Sequence, residues 1–459
     1  MKLYILFFIF YFNISISQPI PNEFMEYYKK KFLMNSGENW NQNTIFGNNR
    51  RINPNNLIDS LFIDSRFGLQ YNNKGKGLYG FGHFSYKNNF HGYLYSRIVN
   101  SAEFFERYSG IEREISRFGF TSGETDQSGI CYESDWLIFQ FGRGRESWGA
   151  GNDIQLGLNE DSFAYDYGLL DLDFGNLRVR YFNGYLETDS LSVSRYITGR
   201  GIEWNNEVNF LFGLSEVVIY SGVNRTIDFS YLNPISTHLE IELNDKQNDL
   251  GSDNGNGVWQ LSMDYLLTGN FRISFNYLFD EFVFDQVQKD ANKNSEGGYS
   301  IKFLHSDNYL SENNTSNIFV SYINIGTNTF RHEDGNNNFV IRGKPLGWRF
   351  GSDGREYRFG LNNFNKKLNM FTNICFGRRD TGLNSIMENP YHGYTNYNLQ
   401  SFPSGDFKKI YFFKIEFQWW YKPYISLMIS YQNDKILKHF HHNEFKAGLD
   451  AYFPFKTKI

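Results

Sequence analysis

The fold class is decided by residues 259–279, which read WQLSMDYLLTGNFRISFNYLF. Apolar and polar residues alternate on both sides of Thr268-Gly269-Asn270, which predicts two antiparallel strands joined by a three-residue turn. The predicted register places Leu267 opposite Phe271 and continues from there, residue by residue. One face of this hairpin is then apolar and the other polar, with Leu266 as the exception.

The same alternation returns near the C-terminus, in residues 411–419, 425–431 and 445–455. Trp419, Trp420, Tyr421 and Tyr424 cluster around the turn between the first two stretches, and aromatic residues at the border of an apolar band are typical of a membrane interface. The last stretch resembles the terminal aromatic strand by which the insertion machinery recognises bacterial outer-membrane barrels. Residues 456–459 follow its final Phe455, which departs from that pattern.

A second hairpin is predicted around Gly175-Asn176. A two-residue turn there places Asp171 opposite Arg180 and Asp173 opposite Arg178. Two opposite-charge pairs on one face fit either the solvated side of a soluble sheet or the lumen wall of a barrel. The C-terminal pattern favours lumenal charge pairs.

Composition narrows the class of protein further. The chain has 459 residues, a formal net charge of -5 and 19% aromatic residues, and its mean hydropathy is -0.51. Apolar content carried by Phe and Tyr favours strands over helices, and no basic cluster supports a nucleic-acid partner. Cys131 and Cys375 are too few for a disulfide framework or a thiolate metal site. They are either free thiols, which we favour, or one long-range bridge.

The N-terminal residues 1–17 read as a secretory signal peptide, with Lys2 before an apolar core and a small-residue site at Ser15-Ile16-Ser17. No later run reaches the roughly 18 apolar residues of a membrane-spanning helix. We therefore predict an all-β fold, a transmembrane antiparallel up-and-down β-barrel of about 16–18 strands over residues 58–459. Residues 18–57 form a periplasmic N-terminal segment with a short helix over residues 23–34.

Connections of alternating length are expected between the strands. Short turns are predicted near residues 175, 213, 269 and 422, on the periplasmic side. Long polar connections are predicted at roughly residues 100–130, 232–257, 281–297, 326–355 and 378–408, outside the cell or folded into the lumen.

Signatures of catalysis are not found in the sequence, so we expect neither an enzyme nor a cofactor. The tract containing His439, His441 and His442 could bind a metal, and the Asp- and Asn-rich residues 248–257 offer oxygen ligands for calcium. Both are better explained as loops, and no metal site is expected. Asp280, Glu281 and Asp285 could serve acid–base chemistry, although lumenal charge is the better explanation.

Residues 142–151, GRGRESWGAG, are the densest candidate site. Arg143 and Arg145 can bind a carboxylate through two parallel hydrogen bonds, and Trp148 offers a flat face for a sugar ring. This combination suits an acidic polysaccharide. A strand end whose arginines pair with lumenal acids such as Asp171 and Asp173 is an equally good explanation.

Five blocks of sequence, in order, resemble the capsule assembly protein Wzi family. They are residues 142–151 followed by 159–163 (NEDSF), 212–220 (FGLSEVVIY), 231–234 (YLNP), 280–281 (DE) and 346–354 (LGWRFGSDG). The resemblance implies an outer-membrane barrel of about 18 strands with a small helical periplasmic part. It also implies a lectin-like, non-catalytic role in holding capsular or exopolysaccharide at the cell surface. Ala150 departs from the commoner proline of this block and leaves the glycan open.

Our first hypothesis is therefore a barrel of the bacterial outer membrane that binds surface polysaccharide and has a plugged or narrow lumen. Its expected partners are that polysaccharide, outer-membrane lipid with lipopolysaccharide, and the insertion machinery. Its candidate contacts are Arg143, Arg145, Trp148, Glu216 and Trp348. A porin-like channel for anionic solutes or oligosaccharides is the alternative, and a secreted carbohydrate-active β-sandwich enzyme is the second alternative.

Overall fold

The computed structural model describes residues 40, 43–47, 61–87, 89–105, 107–243, 255–281, 296–307, 313–393, 401–422, 425–436 and 441–457. Eighteen of the strands in these ranges form one antiparallel sheet. The sheet closes on itself because β1 pairs with β20, with Leu61 opposite Thr457. The predicted all-β barrel is confirmed, and the β-sandwich alternative is wrong because a closed sheet has no second sheet to pack against.

The strands and helices have the following bounds. The strands are β1 (Leu61–Asn72), β2 (Lys76–Tyr86), β3 (Phe90–Val99), β4 (Ser122–Glu133), β5 (Leu137–Gly144), β6 (Tyr165–Asp173), β7 (Leu177–Thr188), β8 (Val193–Asn205), β9 (Phe210–Val223), β10 (Gly255–Thr268), β11 (Phe271–Glu281), β12 (Glu296–Asp307), β13 (Asn314–Ile325), β14 (Val340–Ile341), β15 (Lys344–Pro345), β16 (Gly354–Asn365), β17 (Met370–Thr381), β18 (Lys408–Lys422), β19 (Ile425–Ile436) and β20 (His441–Thr457). Strands β14 and β15 form a separate hairpin inside a loop. Two short helices span Phe229–Leu232 and His238–Leu243.

The hairpin of residues 259–279 has almost the predicted register. Asp264 lies opposite Ser274 and Ser262 opposite Asn276, but a bulge after Leu266 places Thr268, rather than Leu267, opposite Phe271. Leu266 breaks the alternation because its side chain is buried in the apolar core inside the barrel. The polar face therefore points inward, and two leucines interrupt it there, Leu266 and also Leu278, which lies opposite Gln260 and is buried in the same core.

The outer wall is apolar in the strands that the sequence singled out. On β18 the side chains of Phe413, Phe417 and Trp419 are exposed, whereas Glu416 between them is buried. Trp419 and Tyr421 pack edge to face near the turn, with ring centroids 5.6 Å apart. A band of apolar side chains bordered by aromatic rings is the outer surface that a barrel presents to lipid.

The long connections share one end of the barrel, but the predicted alternation is incomplete, because residues 73–75 and 189–192 form short turns at that same end. At this end, which we call the loop end, lie the strand ends that flank residues 100–121, 145–164, 224–254, 282–295, 326–353 and 382–407. The opposite turn end carries short turns and the two outer ends of the sheet, near residues 61 and 457. The turn expected near 213 is wrong, since β9 runs through Phe210–Val223 and the turn occupies residues 206–209. The first long connection ends earlier than expected because Ser122–Glu133 forms β4.

Several predictions fall on residues that the structure does not describe. The signal peptide 1–17, the helix over 23–34, residues 248–254 of the oxygen-rich segment 248–257 and His439 lie outside the described ranges. Cys131 and Cys375 are both buried, and neither forms a disulfide. Within the described part of the chain, no helix has the length and apolar character needed to cross a membrane.

The inside–outside assignment of β18 can be tested with two arginines on the same strand. Replacing Ile415, which belongs to the outward set, by arginine places a charge against lipid and should lower the free energy of unfolding by about 2–4 kcal/mol. The matched variant Gln418→Arg faces the lumen and should change it by about 0.5 kcal/mol or less. Urea unfolding of the refolded protein in lipid vesicles measures both. Equal losses in the two variants would contradict the assignment.

Candidate functional site

Three chain segments lie inside the barrel and together form what we call the lumenal plug. They are residues 40–47 in their described part, the β5–β6 loop 145–164, and the β13–β16 loop 326–353. Residues 40–47 sit at the turn end, where the Asn205 amide donates to the carbonyl of Asn43 at 3.0 Å. Arg272, at the start of β11, donates to the Asn43 side chain at 3.0 Å. The described part of the N-terminal segment is therefore held within the lumen by the ends of the strands.

The loop 145–164 crosses the lumen from β5 to the opposite wall. Gln260 donates to the carbonyl of Trp148 at 3.0 Å, and the backbone amide of Ala150 donates to Asn276 at 2.8 Å. Gly149 and Gly151 have φ values of 137° and 83°. A β-carbon on Gly149 would lie 2.8 Å from the Gln260 amide nitrogen. These glycines are thus required both by the backbone conformation and by the close approach to the wall.

The plug has a continuous apolar core. Trp148 packs edge to face against Phe46 and against Phe182 of β7, with ring centroids 5.2 Å apart in each pair. The amide of Trp348 donates to the carbonyl of Leu156 at 3.0 Å, which joins the two loops. The buried apolar side chains of the three segments are Trp40, Ile45, Phe46, Trp148, Ile154, Leu156, Leu158, Phe330, Phe339, Val340, Ile341, Leu346 and Trp348. A core of this kind fills space that a diffusion channel would leave to water.

An ion-pair network anchors the plug to the wall between β6 and β7. Arg178 and Arg180 both bind Asp171, with the Arg180 Nε 2.8 Å from the carboxylate. Arg180 also donates to the carbonyl of Phe46 at 2.8 Å and to Glu146 at 3.0 Å. One guanidinium therefore joins the barrel wall, the N-terminal segment and the crossing loop.

The register of this hairpin is as predicted, but its pairing of charges differs. Asp173 lies opposite Arg178 in the register, yet its carboxylate accepts the backbone amide of Gly175 at 2.9 Å. Arg178 instead reaches across to Asp171. Asp171 is fully buried, whereas Asp173 lies nearer the turn and is partly exposed. Arg178 and Arg180 therefore both pair with the buried carboxylate of Asp171.

On the far wall, the crossing loop is held by a second set of charges. The Lys302 ammonium lies 2.6 Å from Asp153, and the Arg358 guanidinium lies 3.3 Å from the same carboxylate. Near the turn end, Asp264 binds Arg272 and accepts the Asn43 amide at 3.0 Å. Charged groups on both sides of the lumen therefore fix the plug.

Most of the predicted polysaccharide contacts lie inside this arrangement. Trp148 is 1% exposed and Trp348 is 3% exposed, so neither presents a ring face to a sugar here. Arg145 donates to the carbonyl of Ser162 at 2.6 Å and pairs with Asp126. Its guanidinium holds the loop base to β4.

The other two predicted contacts lie outside the lumenal plug. Glu216 is buried and lies 3.2 Å from Arg200 on the neighbouring strand. Arg143 lies at the loop end of β5, where its guanidinium is 2.8 Å from Glu124 and 3.9 Å from Asp166. Its side chain is 25% exposed, which is the largest exposed fraction among the five candidates. Arg143 is thus the candidate that solvent reaches best.

A cluster at the loop end, which we call the mouth cluster, was missed by the sequence interpretation. It consists of Glu187, Arg195, Arg342 and Tyr391, which come from four different elements. Glu187 pairs with Arg195 and accepts the Tyr391 hydroxyl at 2.9 Å and the Arg342 amide at 3.0 Å. Lys344, two residues beyond Arg342, is exposed.

Arg342 closes the mouth cluster against two more loops. Its guanidinium donates to the carbonyls of Ser109 and Ala164, at 2.7 and 3.1 Å. Burial, and then the neighbouring Arg143 cation, lower the pKa of Arg342. Burial, and then the Glu187 carboxylate, raise the pKa of Tyr391 to about 12. The mouth thus combines cations with a Tyr391 ring that is 43% exposed. The basic pair around Gly343 was the sequence signal available for it.

The fold and this site define a plugged barrel of the outer-membrane type. No sequence-family model matches the chain, and no curated protein sequence matches it. The chain is similar in structure to Wzi of Escherichia coli, an outer-membrane protein involved in group 1 capsule assembly and described as a carbohydrate-binding β-barrel. The TM-score is 0.62 with 11% identity, over 86% of this chain and 84% of that chain.

Two proteins of Pseudomonas aeruginosa, OprD and the outer-membrane protein OpdK, are similar to the chain with lower TM-scores. OprD has a TM-score of 0.46 and 10% identity over 86% of this chain and 95% of its own. OpdK has a TM-score of 0.48 and 7% identity over 86% and 99%. At these identities the likeness to Wzi shows the shared outer-membrane barrel fold, and it leaves the function to be argued from the site.

The ion-pair network gives a prediction about stability. Asp171→Asn leaves Arg178 and Arg180 buried without their shared counter-charge, and it should lower the free energy of unfolding by about 3–5 kcal/mol. Asp173→Asn should lower the free energy of unfolding by about 1 kcal/mol or less, because this partly exposed carboxylate accepts a hydrogen bond from the backbone of its own turn. Urea titration in lipid vesicles compares the two. A loss at Asp173 as large as that at Asp171 would contradict the assignment of the anchoring charge.

Proposed function

We propose that this protein is a non-catalytic barrel of the bacterial outer membrane that binds an acidic capsular or exopolysaccharide at its loop end. The observation that carries the proposal is the lumenal plug. Its crossing loop is bound to β7 through Glu146 and Arg180 and to β12 through Asp153 and Lys302. A lumen occupied from wall to wall supports binding at the mouth rather than diffusion through the barrel.

The contact surface that we propose comprises Arg143, Arg342, Lys344 and Tyr391. Arginine forks and a lysine suit uronate carboxylates, and a half-exposed tyrosine ring suits the apolar face of a sugar. Trp148, Trp348 and Arg145 support this surface from below by holding the loops in place. Membership of the Wzi family is part of the proposal, and it rests on the five sequence blocks together with the shared fold.

A porin-like channel for anionic solutes is the second candidate. It is favoured by lumenal cations on β16 and β18 that keep some exposure, since the side chains of Arg358 and Lys414 are 16% and 30% exposed. In this alternative, Arg358 and Lys414 would attract anions along the side of the lumen opposite β6 and β7. Glu356 and Glu416 lie 3.2 Å from those two cations, so the wall carries both signs of charge and its attraction for anions is reduced.

Polysaccharide binding can be tested with the purified full-length protein in detergent micelles and polygalacturonate as the probe. The double variant Arg143→Gln/Lys344→Gln should weaken binding about tenfold or more, since it removes two charge-assisted contacts. Binding by the unchanged protein should fall as salt is raised. The control Lys408→Gln removes an exposed lysine that is paired with Glu388 and should leave affinity unchanged.

Two outcomes would contradict the proposed surface. One is equal binding by the double variant and the unchanged protein. The other is equal binding of polygalacturonate and neutral dextran, because the proposed contact surface would then contribute no charge recognition.

A further inference from the structure

One loop at the loop end folds outward instead of inward. Residues 224–243 of the β9–β10 connection, which we call the outer flap, contain both short helices, Phe229–Leu232 and His238–Leu243. The flap lies against the outward face of β7, β8 and β9. Tyr231 stacks on Tyr220 of β9 with ring centroids 4.3 Å apart, and Tyr220 stacks on Tyr196 of β8 at 5.2 Å.

The wall under the flap is polar where lipid would otherwise touch it. Thr198 and Arg200 share the outward face of β8 with Ile202 and Trp204, which are exposed. Glu216 shares the outward face of β9 with Phe212, which is also exposed. Thr198, Arg200 and Glu216 are nevertheless buried. Something other than the barrel itself therefore shields these polar groups.

The shielding groups belong to the flap backbone. The Tyr181 hydroxyl donates to the carbonyl of Tyr231 at 3.0 Å, and Arg200 donates to the carbonyl of Asn233 at 3.4 Å. The backbone amide of His238 donates to Glu216 at 3.0 Å. The flap backbone thus supplies one hydrogen-bonding partner each to Tyr181, Arg200 and Glu216, groups that would otherwise face lipid.

The opposite side of the flap is apolar. Phe229 is 76% exposed and Ile235 is 84% exposed, and Ile227 and Leu239 are exposed beside them. On β8 and β9, closer to the turn end, Ile202, Trp204 and Phe212 are also exposed on the outward face. Glu240, the acidic residue next to Leu239, is exposed as well.

We propose that the outer flap is a membrane-embedded element whose Phe229, Ile235 and Leu239 bind the acyl chains of the lipid leaflet on the loop side. The flap replaces the missing apolar side chains of β8 and β9, so that lipid meets a continuous hydrophobic surface. Its backbone accepts a hydrogen bond from Arg200 and donates one to Glu216, and its apolar side faces the lipid.

The test uses the full-length protein in phosphatidylcholine/phosphatidylglycerol vesicles, with a nitroxide label on one introduced cysteine at a time. Labels at Phe229→Cys and Ile235→Cys should collide more often with molecular oxygen, which partitions into lipid, than with a water-soluble nickel chelate. The control Lys344→Cys lies on an exposed loop and should show the reverse preference. Ile429→Cys on the outward face of β19 gives the lipid reference.

Two results would overturn the proposal. The first is a flap label as accessible to the nickel chelate as the label at Lys344→Cys, which would make the flap a water-exposed loop. The second is a flap label shielded from both reagents, which would indicate that a second protein chain covers this surface. Neither result depends on whether the mouth binds polysaccharide.

Discussion

The interior of this barrel depends on the guanidinium of Arg180. It binds Asp171 of the wall, the carbonyl of Phe46 in the N-terminal segment and Glu146 of the crossing loop. Glu146 in turn accepts the indole of Trp148 at 2.8 Å, so the position of the central aromatic side chain follows from the same cation. A buried arginine of this kind is tolerated only when nearly all its donors are satisfied. Because all three provide acceptors for Arg180, the wall, the N-terminal segment and the crossing loop are held in one arrangement.

The barrel could be predicted from the sequence because its determinants are local. Alternation with a period of two sets which side chains face outward, and the turns at 175 and 269 set the register. The plug and the mouth cluster could not be predicted in the same way. The contacts of Trp148 with Gln260 and of Glu187 with Arg342 join residues more than 100 positions apart. Polar, glycine-rich composition identifies a loop, but it does not determine whether the loop turns inward, outward or into solvent.

The same limit explains why most of the predicted polysaccharide contacts are buried residues that hold the structure together. The arginine, glycine and tryptophan residues of 142–151 suit a sugar site, but the structure uses most of them to build the crossing loop. Only Arg143 lies near the mouth, beside Arg342. Glu216 belongs to the polar stripe under the outer flap, a place that no local pattern indicates. The barrel thus has polar groups covered on both its surfaces, by the plug inside and by the flap outside.

Single-channel recording of the full-length protein in a planar lipid bilayer tests the central claim most directly, since that claim is a lumen occupied by the plug. Protein that has inserted, as shown by a gel mobility shift on boiling, should add no stepwise conductance in concentrated salt solution. Steady steps with anion selectivity would contradict a filled lumen, and they would favour the porin-like alternative.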